Sequence, residues 1–393
     1  MITISCLCGA AQQTVSPPPH DSNSRITFCH CDSCRHLTGI LCTTYTPTTQ
    51  PSLAGLTKYS LSDTSARYFC STCGCHVFRH SPDNGWAVAT GTITSSPLTK
   101  PPQIRHRHVP DDGGLSIWLP NSIPPEPTLS QPTAVPFAAL HASCHCARIT
   151  FTITRPSRAS TLPHSNYADL LIPYHNNPSS ITTNPLSVKW WLRDPSPNAQ
   201  PPSTDAFNHP SSQTLQAHTD KELSRYKYLA GTCACRSCRL ASGFEIQTWT
   251  FVPRANILMA IPSSAVGGAD LGTGTAKATV PLDFSALPPG LLRSYRSSTA
   301  AVREFCPTCG ATVFWHDFER PDLIDVSVGL LRCPSGARAE SFLQWWTQRT
   351  SFSEESRVGR TGGIANWADD VINTLEKGMQ HTDPQAVTRI SND

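Results

Sequence analysis

Apolar and polar positions alternate over short stretches along most of this chain. Ala87-Val88-Ala89-Thr90-Gly91-Thr92, Arg148-Ile149-Thr150-Phe151-Thr152-Ile153 and Ile324-Asp325-Val326-Ser327-Val328 are β-branched runs with a period close to two, which is the mark of half-buried strands. One segment departs from that period. Ile364, Trp367, Ala368, Val371, Ile372 and Leu375 fall at helical spacing on one face, so the pattern predicts a C-terminal helix that packs on the second half of the chain. The expected protein is mainly β.

Proline and glycine mark the joints. Leu119 to Pro136 holds Pro120, Pro124, Pro125, Pro127, Pro132 and Pro136 but no glycine, the composition of a semi-rigid extended linker. A Pro/Ser/Asn-rich tract from about Pro156 to His218 reads as an insertion, mostly loop, with an ordered island at Lys189-Trp190-Trp191-Leu192. Gly267-Gly268 to Gly274 and Leu287-Pro288-Pro289-Gly290 carry further loop signals. The expected organisation is a first domain over 1–118 and a linker over 119–140. A second domain follows over 141–350 with its insertion at about 156–218, and then a helix and tail over 351–393.

Composition sharpens this picture through its 17 cysteines. Cys6-x-Cys8, Cys29-x-Cys31-x-x-Cys34 and Cys70-x-x-Cys73 recur in the same order as Cys144-x-Cys146, Cys233-x-Cys235-x-x-Cys238 and Cys306-x-x-Cys309. Arg67-x-Phe69-Cys70-x-Thr72-Cys73-Gly74-x-x-Val77-Phe78-x-His80 likewise matches Arg303-x-Phe305-Cys306-x-Thr308-Cys309-Gly310-x-x-Val313-Phe314-x-His316. The chain is an internal duplication of two domains. Disulfides fit poorly. The total is odd, the N-terminus has no signal-peptide pattern, and a chain of 393 residues buries a core without staples.

Zinc fits better, because thiolates in tight Cys-x-x-Cys turns suit its tetrahedral geometry. Each Cys-x-x-Cys turn needs two more ligands, and the Cys-x-Cys pair of the same half can supply them. The remaining triads offer three thiolates apiece, the ligand number of a catalytic zinc with an open fourth position. The alternative is a histidine that closes the tetrahedron, with His30, His36, His80 and His316 available.

With a net charge of +3 and 15% charged residues no basic run marks a nucleic-acid groove, so no nucleic-acid partner is expected, and Arg105-His106-Arg107-His108 reads as a solvated strand end. No run approaches the ~20 apolar residues needed to span a bilayer. The expected location is cytoplasmic and the expected partners are a small-molecule thiol and an electrophile.

On Cys6-x-Cys8-Gly9, Phe28-Cys29-His30-Cys31-x-x-Cys34-Arg35, Phe69-Cys70-x-x-Cys73-Gly74, Trp86 to Thr92, His108-Val109 and Gly113 to Trp118, the chain resembles the glutathione-dependent formaldehyde-activating enzymes, including their centromere protein V branch. The resemblance implies two tandem small zinc-binding β domains, of a fold shared with methionine-R-sulfoxide reductases. It implies structural zinc at Cys6, Cys8, Cys70 and Cys73 and at Cys144, Cys146, Cys306 and Cys309. Functional zinc would sit at Cys29, Cys31 and Cys34 and at Cys233, Cys235 and Cys238, for up to four ions. The second half departs from the pattern at Ala147, in place of Gly9, and at Ala234, in place of His30.

The implied activity is a carbon–sulfur lyase, joining a thiol such as glutathione to an aldehyde or releasing it. A metal-held thiol is deprotonated, whereas a free one with a pKa of about 8.5 is mostly protonated at neutral pH. His30 and Arg35 are the candidate donors to the aldehyde oxygen, with Arg67 as an alternative. Two other readings are a zinc-scaffolded binding protein without turnover and a redox protein using Cys42 or Cys75. The compact spacing and His30 favour the first half as the more active one. The insertions favour the second half if the substrate is bulky.

Overall fold

The computed structural model describes residues 1–18, 25–96, 103–109, 114–119, 138–165, 184, 187–195, 215, 217–262 and 277–382. The expected proline linker, most of the expected insertion and the stretch from Gly267 to Gly274 lie outside them.

The first half contains β1 (Ile2–Ile4), β2 (Gln13–Val15), β3 (Arg25–Cys29), helix α1 (Asp32–Thr38), β4 (Thr43–Thr48), β5 (Leu56–Ser60) and β6 (Ala66–Cys70). It continues with β7 (His76–Ser81), β8 (Gly85–Ala89), β9 (Ile93–Ser96) and β10 (Gln103–Arg107). Its large sheet is seven-stranded, in the order β10-β3-β4-β8-β7-β6-β5, and β10 runs parallel to β3. Phe28, Val77, Phe78 and Val88 are fully buried, and because consecutive residues face opposite sides of a strand, Val77 and Phe78 show that β7 is covered on both faces.

The second half repeats this plan. It opens with β11 (Ala139–Ser143), β12 (Thr150–Thr154), β13 (Leu192–Arg193), helix α2 (Asp220–Leu223), β14 (Lys227–Cys233), helix α3 (Arg236–Ser242) and β15 (Gln247–Pro253). An added hairpin, β16 (Ile257–Pro262) with β17 (Lys277–Pro281), precedes β18 (Arg293–Arg296), β19 (Ala301–Phe305), β20 (Thr312–Asp317), β21 (Leu323–Ser327), β22 (Leu331–Arg332) and β23 (Leu343–Trp345). The order β14-β15-β21-β20-β19-β18 reproduces β3-β4-β8-β7-β6-β5, and β23 pairs parallel to β14 as β10 does to β3. The expected Trp190–Leu192 island is buried beside this sheet, where Trp190 packs edge-on to Phe251.

The halves meet about an approximate twofold. The Gly329 amide donates to the Gly39 carbonyl, and the Gly91 amide to the Gly243 carbonyl. A Cβ on Gly39 would sit 2.2 Å from the Thr312 carbonyl oxygen, and one on Gly243 2.0 Å from that of His76. Both glycines also end their helices in the left-handed conformation, so no other residue fits either demand.

Each half also sends its C-terminal segment to the other. β24 (Thr361–Gly362) pairs with β9 of the first half, and the following helix α4 (Gly363–Thr382) places Trp367 against Phe28. In return Trp118 packs edge-on against Trp345, and Arg338 donates to the Gly114 carbonyl at 2.8 Å. The C-terminal helix is therefore not a support for the second half alone, as its spacing predicted. Its apolar face covers β9 and Gly114–Trp118 of the first half because β24 carries it there. A buried ion pair fixes the crossing, with the Arg360 Nη1 2.7 Å from the Glu245 carboxylate and Arg360 also donating to the Ile93 and Thr90 carbonyls.

Candidate metal centres and the cavity over the second triad

All 17 cysteines are free thiols, and 14 of them gather into four groups. Cys6, Cys8, Cys70 and Cys73 form one, and Cys144, Cys146, Cys306 and Cys309 another, with every Sγ within 4.8 Å of the others in its group. Neighbouring sulfurs are 3.5 Å apart from Cys6 to Cys8, Cys8 to Cys70, Cys144 to Cys146 and Cys146 to Cys306. Four thiolates about 2.3 Å from a zinc ion would lie ~3.8 Å from one another, so both groups fit a tetrahedral zinc. The left-handed turns at Gly74 and Gly310 let the Cys-x-x-Cys loops close. Ala147 holds the same left-handed conformation as Gly9, at φ 57°, so the second turn survives the loss of its glycine at some strain.

Hydrogen bonds from Cys6 and Cys73 hold Cys70 down at about 2, while hydrogen bonding to Cys6 and Cys70 together with burial pushes Cys73 far above the thiol range. Cys146 and Cys309 diverge in the same way. Sulfurs this crowded cannot all carry charge by themselves, and a dication removes the repulsion. The donor set, all soft sulfur, selects zinc over harder ions.

The triads are built alike in both halves. Cys31 and Cys235 cap the N-termini of α1 and α3, accepting from the Cys34 amide at 3.4 Å and the Cys238 amide at 3.2 Å. Sulfurs are 3.5 Å apart from Cys29 to Cys31 and 3.7 Å apart from Cys233 to Cys238. Hydrogen bonds from Cys29 and Cys31, and then the Arg67 charge, hold Cys34 well below the usual thiol range. Cys233 and Cys235, and then Arg303, do the same for Cys238. Among the described residues no histidine or carboxylate joins either group of three. The histidines that might have closed a tetrahedron are engaged elsewhere. The His30 Nε2 is 2.8 Å from His106 Nδ1, His80 packs at a tilt against Trp86, and the His316 Nε2 is 3.1 Å from the Glu304 carboxylate. His36 is buried.

The two expected donors are both buried. Burial, and then the neighbouring His106 and Arg35 charges, push His30 down to about 3, so it is neutral. Arg35 turns to the interface, with Nε and Nη2 on the Asp32 carboxylate and Nη1 on the Ala337 carbonyl of the second half. Its counterpart Arg239 likewise donates to the Gly91 and Val358 carbonyls. The arginine that reaches each triad comes instead from a more distant strand of the same sheet, β6 or β19. It is Arg67 in the first half, whose charge acts on Cys34, and Arg303 in the second, 3.5 Å from the Cys238 Sγ and 2.9 Å from the Ser237 Oγ. Cys42 and Cys75 are buried thiols, pushed upward by desolvation, Cys42 to about 12, and have no reactive thiolate character.

A cavity of about 250 Å³ opens over the second triad. Cys233, Cys235, Cys238 and Arg303 line it, with Trp249, Phe251, Trp315 and Phe352 as apolar walls and Asp317, Asp325 and Glu355 among its polar groups. The Nε and Nη1 of Arg303 are buried with no hydrogen-bond partner. Asp325 is paired with Arg320 at 2.9 Å, and Glu355 accepts from the Arg236 amide at 2.9 Å. Strand register identifies the matching positions in the first half. Arg303 pairs with Trp315 and that residue's strand places Asp325 next, whereas Arg67 pairs with Arg79 and then Ala87. Tyr45 stands where Trp249 does, and Arg79 lies over the Tyr45 ring at 4.7 Å. His108 follows Arg107, which pairs with Cys29, and Phe352 follows Ser351, which bridges to Cys233; both share the left-handed conformation at φ 53°. The sequence reading missed this aromatic lining, although its signal was present: Trp315 is the unmatched position between Phe314 and His316, where the two copies differ.

Four cysteine groups that fit metal, two of them with three ligands, on a small mixed sheet define the class. Residues 1–108 match the family model described as glutathione-dependent formaldehyde-activating enzyme, so that stretch is similar to a domain of that family. No curated protein and no solved structure matches the chain. Among the described residues no helix is long and apolar enough to cross a membrane.

Proposed function

We propose that this chain is a zinc-dependent carbon–sulfur lyase-type enzyme that makes or breaks the adduct of a small thiol with an aldehyde or related carbonyl compound. Its second half is a second domain of the same type, and the triad Cys233, Cys235 and Cys238 is the main reaction site. The observation that carries this is the cavity that the buried Arg303 lines together with three sulfurs, which no fourth protein ligand joins among the described residues.

When bound there, zinc supplies a fourth position for a thiol sulfur and keeps that sulfur deprotonated at neutral pH. Arg303 fixes Cys238 with one nitrogen, and its guanidinium on the cavity lining offers an N–H to the carbonyl oxygen, on which negative charge grows as sulfur bonds to carbon. Removing one such preorganised donor typically costs about 2.7–4 kcal/mol, or 10²–10³ in rate. Trp249 and Phe352 keep water from the reacting atoms, which strengthens that interaction. Glutathione, the thiol in the family's name, is one candidate. The first half, whose corresponding space holds Arg79, serves chiefly as the zinc-clamped partner on which the second is assembled.

Elemental analysis of protein purified without chelator should give four zinc ions per chain. Cobalt(II)-substituted protein titrated with a thiol should develop a sulfur-to-metal absorption change that Cys238→Ser removes and Cys34→Ser largely keeps. Four zinc ions with no response to any thiol would favour a zinc scaffold without turnover and sink this reading.

A further inference from the structure

The two triads differ in what surrounds them, and the difference selects a ligand. In the first half Arg67 and Arg79 both lie over the Tyr45 ring, at 5.8 and 4.7 Å, with Ala87 beside them. Two cations and no acid among these positions suit an anionic ligand. In the second half the same three strand positions hold Arg303, Trp315 and Asp325. Trp249, Trp315 and Phe352 pack directly against the three sulfurs as one apolar cluster. Arg320 neutralises Asp325 and lies over Trp315 at 4.8 Å, which leaves Asp317 and Glu355 as negative charge on the lining.

We propose that the second site takes an uncharged aromatic substrate, the thiol adduct of an aromatic aldehyde, in place of an anionic peptide thiol. This rests on the lyase reading above and names its substrate class. A cavity of about 250 Å³ exceeds the ~150 Å³ that suffices for a benzene ring in an apolar protein interior, yet falls short of the ~300–1,000 Å³ of sites that enclose drug-sized ligands. It therefore holds a ring and the reacting carbon, but not a whole tripeptide. Carboxylates on such a peptide would also meet Asp317 and Glu355. The ring lies among Trp249, Trp315 and Phe352, and the aldehyde oxygen accepts from an N–H of the Arg303 guanidinium, which lines the same cavity. The thiol sulfur gives its electron pair to the carbonyl carbon, and the C=O π pair moves to oxygen. The proton lost by the thiol ends on that oxygen through water. The product is a hydroxy(aryl)methyl thioether, and the reverse reaction returns thiol and aldehyde with no oxidant or reductant.

Benzyl mercaptan is the natural probe, because its ring stands the same number of bonds from sulfur as in that adduct. Zinc-loaded full-length protein carrying Cys34→Ser, so that only the second triad reports, is titrated calorimetrically with benzyl mercaptan and with glutathione. Benzyl mercaptan should bind at least tenfold more tightly. Trp315→Arg, which restores the first-half residue, should abolish or invert that preference, and Trp315→Phe should keep it. Phe352→Asn, on the half-buried wall and tolerant of the left-handed backbone, should weaken benzyl mercaptan selectively even if Trp315→Arg fails to fold. Equal or tighter binding of glutathione would overturn this inference and leave the lyase reading standing. Binding of neither thiol would overturn both.

Discussion

The two triads share their cysteines, the helix capped by the middle sulfur and the arginine behind the last one, yet their surroundings are opposite in character. Over Cys29, Cys31 and Cys34 the neighbouring strands place arginines, tyrosine and a pair of stacked histidines. Over Cys233, Cys235 and Cys238 the same strands place tryptophans, a neutralised aspartate and an open cavity. A duplicated metal site keeps its ligands because geometry demands them, while the residues one strand further out are free to change what the site accepts. The halves have diverged in chemistry without separating in structure, since each finishes the fold of the other.

That shared fold gives the comparison its sharpest test. Structural zinc is worth about 10–16 kcal/mol in small zinc peptides. Cys70→Ser and Cys306→Ser should each unfold the protein, and because β24 and Trp118 cross between halves, either change should bring down both halves in one calorimetric transition. Two separate melting steps would mean that the halves are independent after all. Next in size is the crossing itself. Arg360→Ala leaves Glu245 buried and unpaired, and breaking such a pair from one side costs about 3–5 kcal/mol. Replacing both, as Arg360→Met with Glu245→Leu, should cost much less by chemical denaturation. An equal loss would show that the ion pair is not what makes the single change costly.

A smaller effect separates the halves by pH. Burial pushes His30 down to about 3 and His36, His76 and His106 to about 4, all in the first half. Their counterparts at three of these places are Ala234, Leu240 and Thr312. With folded values below the ordinary ~6.5, the unfolded chain binds more protons, so stability is lost as pH falls from about 6.5 toward 4, by about 1.4 kcal/mol per pH unit for each proton of difference. His76, fully buried with its Nε2 donating to the Leu37 carbonyl, carries part of this. Urea denaturation at pH 7 and pH 5 should show a smaller loss in His76→Gln than in wild type. Metal loss at acid pH, common to both proteins, cancels in that comparison. An identical slope would remove His76 from the account.

Much of this was legible in the residues. The fourteen paired cysteines carried the metal groups, because zinc ligand spacing survives almost any change between the motifs. The β character followed from β-branched alternation, and the helix from Ile364 to Leu375. What those apolar positions could not reveal is the surface they cover, since a helical stripe fits any complementary face. Only the β24 pairing shows that the stripe belongs to the first half. Which arginine reaches a triad was hidden for a similar reason. Arg35 adjoins Cys34 in sequence, but a helix turns it into the interface, whereas Arg67 and Arg303 arrive from a strand distant in sequence. The aromatic lining was hidden because Trp249, Trp315 and Phe352 converge from three separate segments.

The central claim is that chemistry resides in the second triad, and one measurement tests it most directly. Cys31→Ser and Cys235→Ser are assayed side by side with glutathione, benzyl mercaptan and a panel of aliphatic and aromatic aldehydes, after zinc in both four-thiolate sites has been confirmed. The account predicts that Cys235→Ser loses at least 10²-fold in adduct formation while Cys31→Ser keeps most of it. Turnover that survives Cys235→Ser and disappears with Cys31→Ser would contradict the account and return the reaction to the first half.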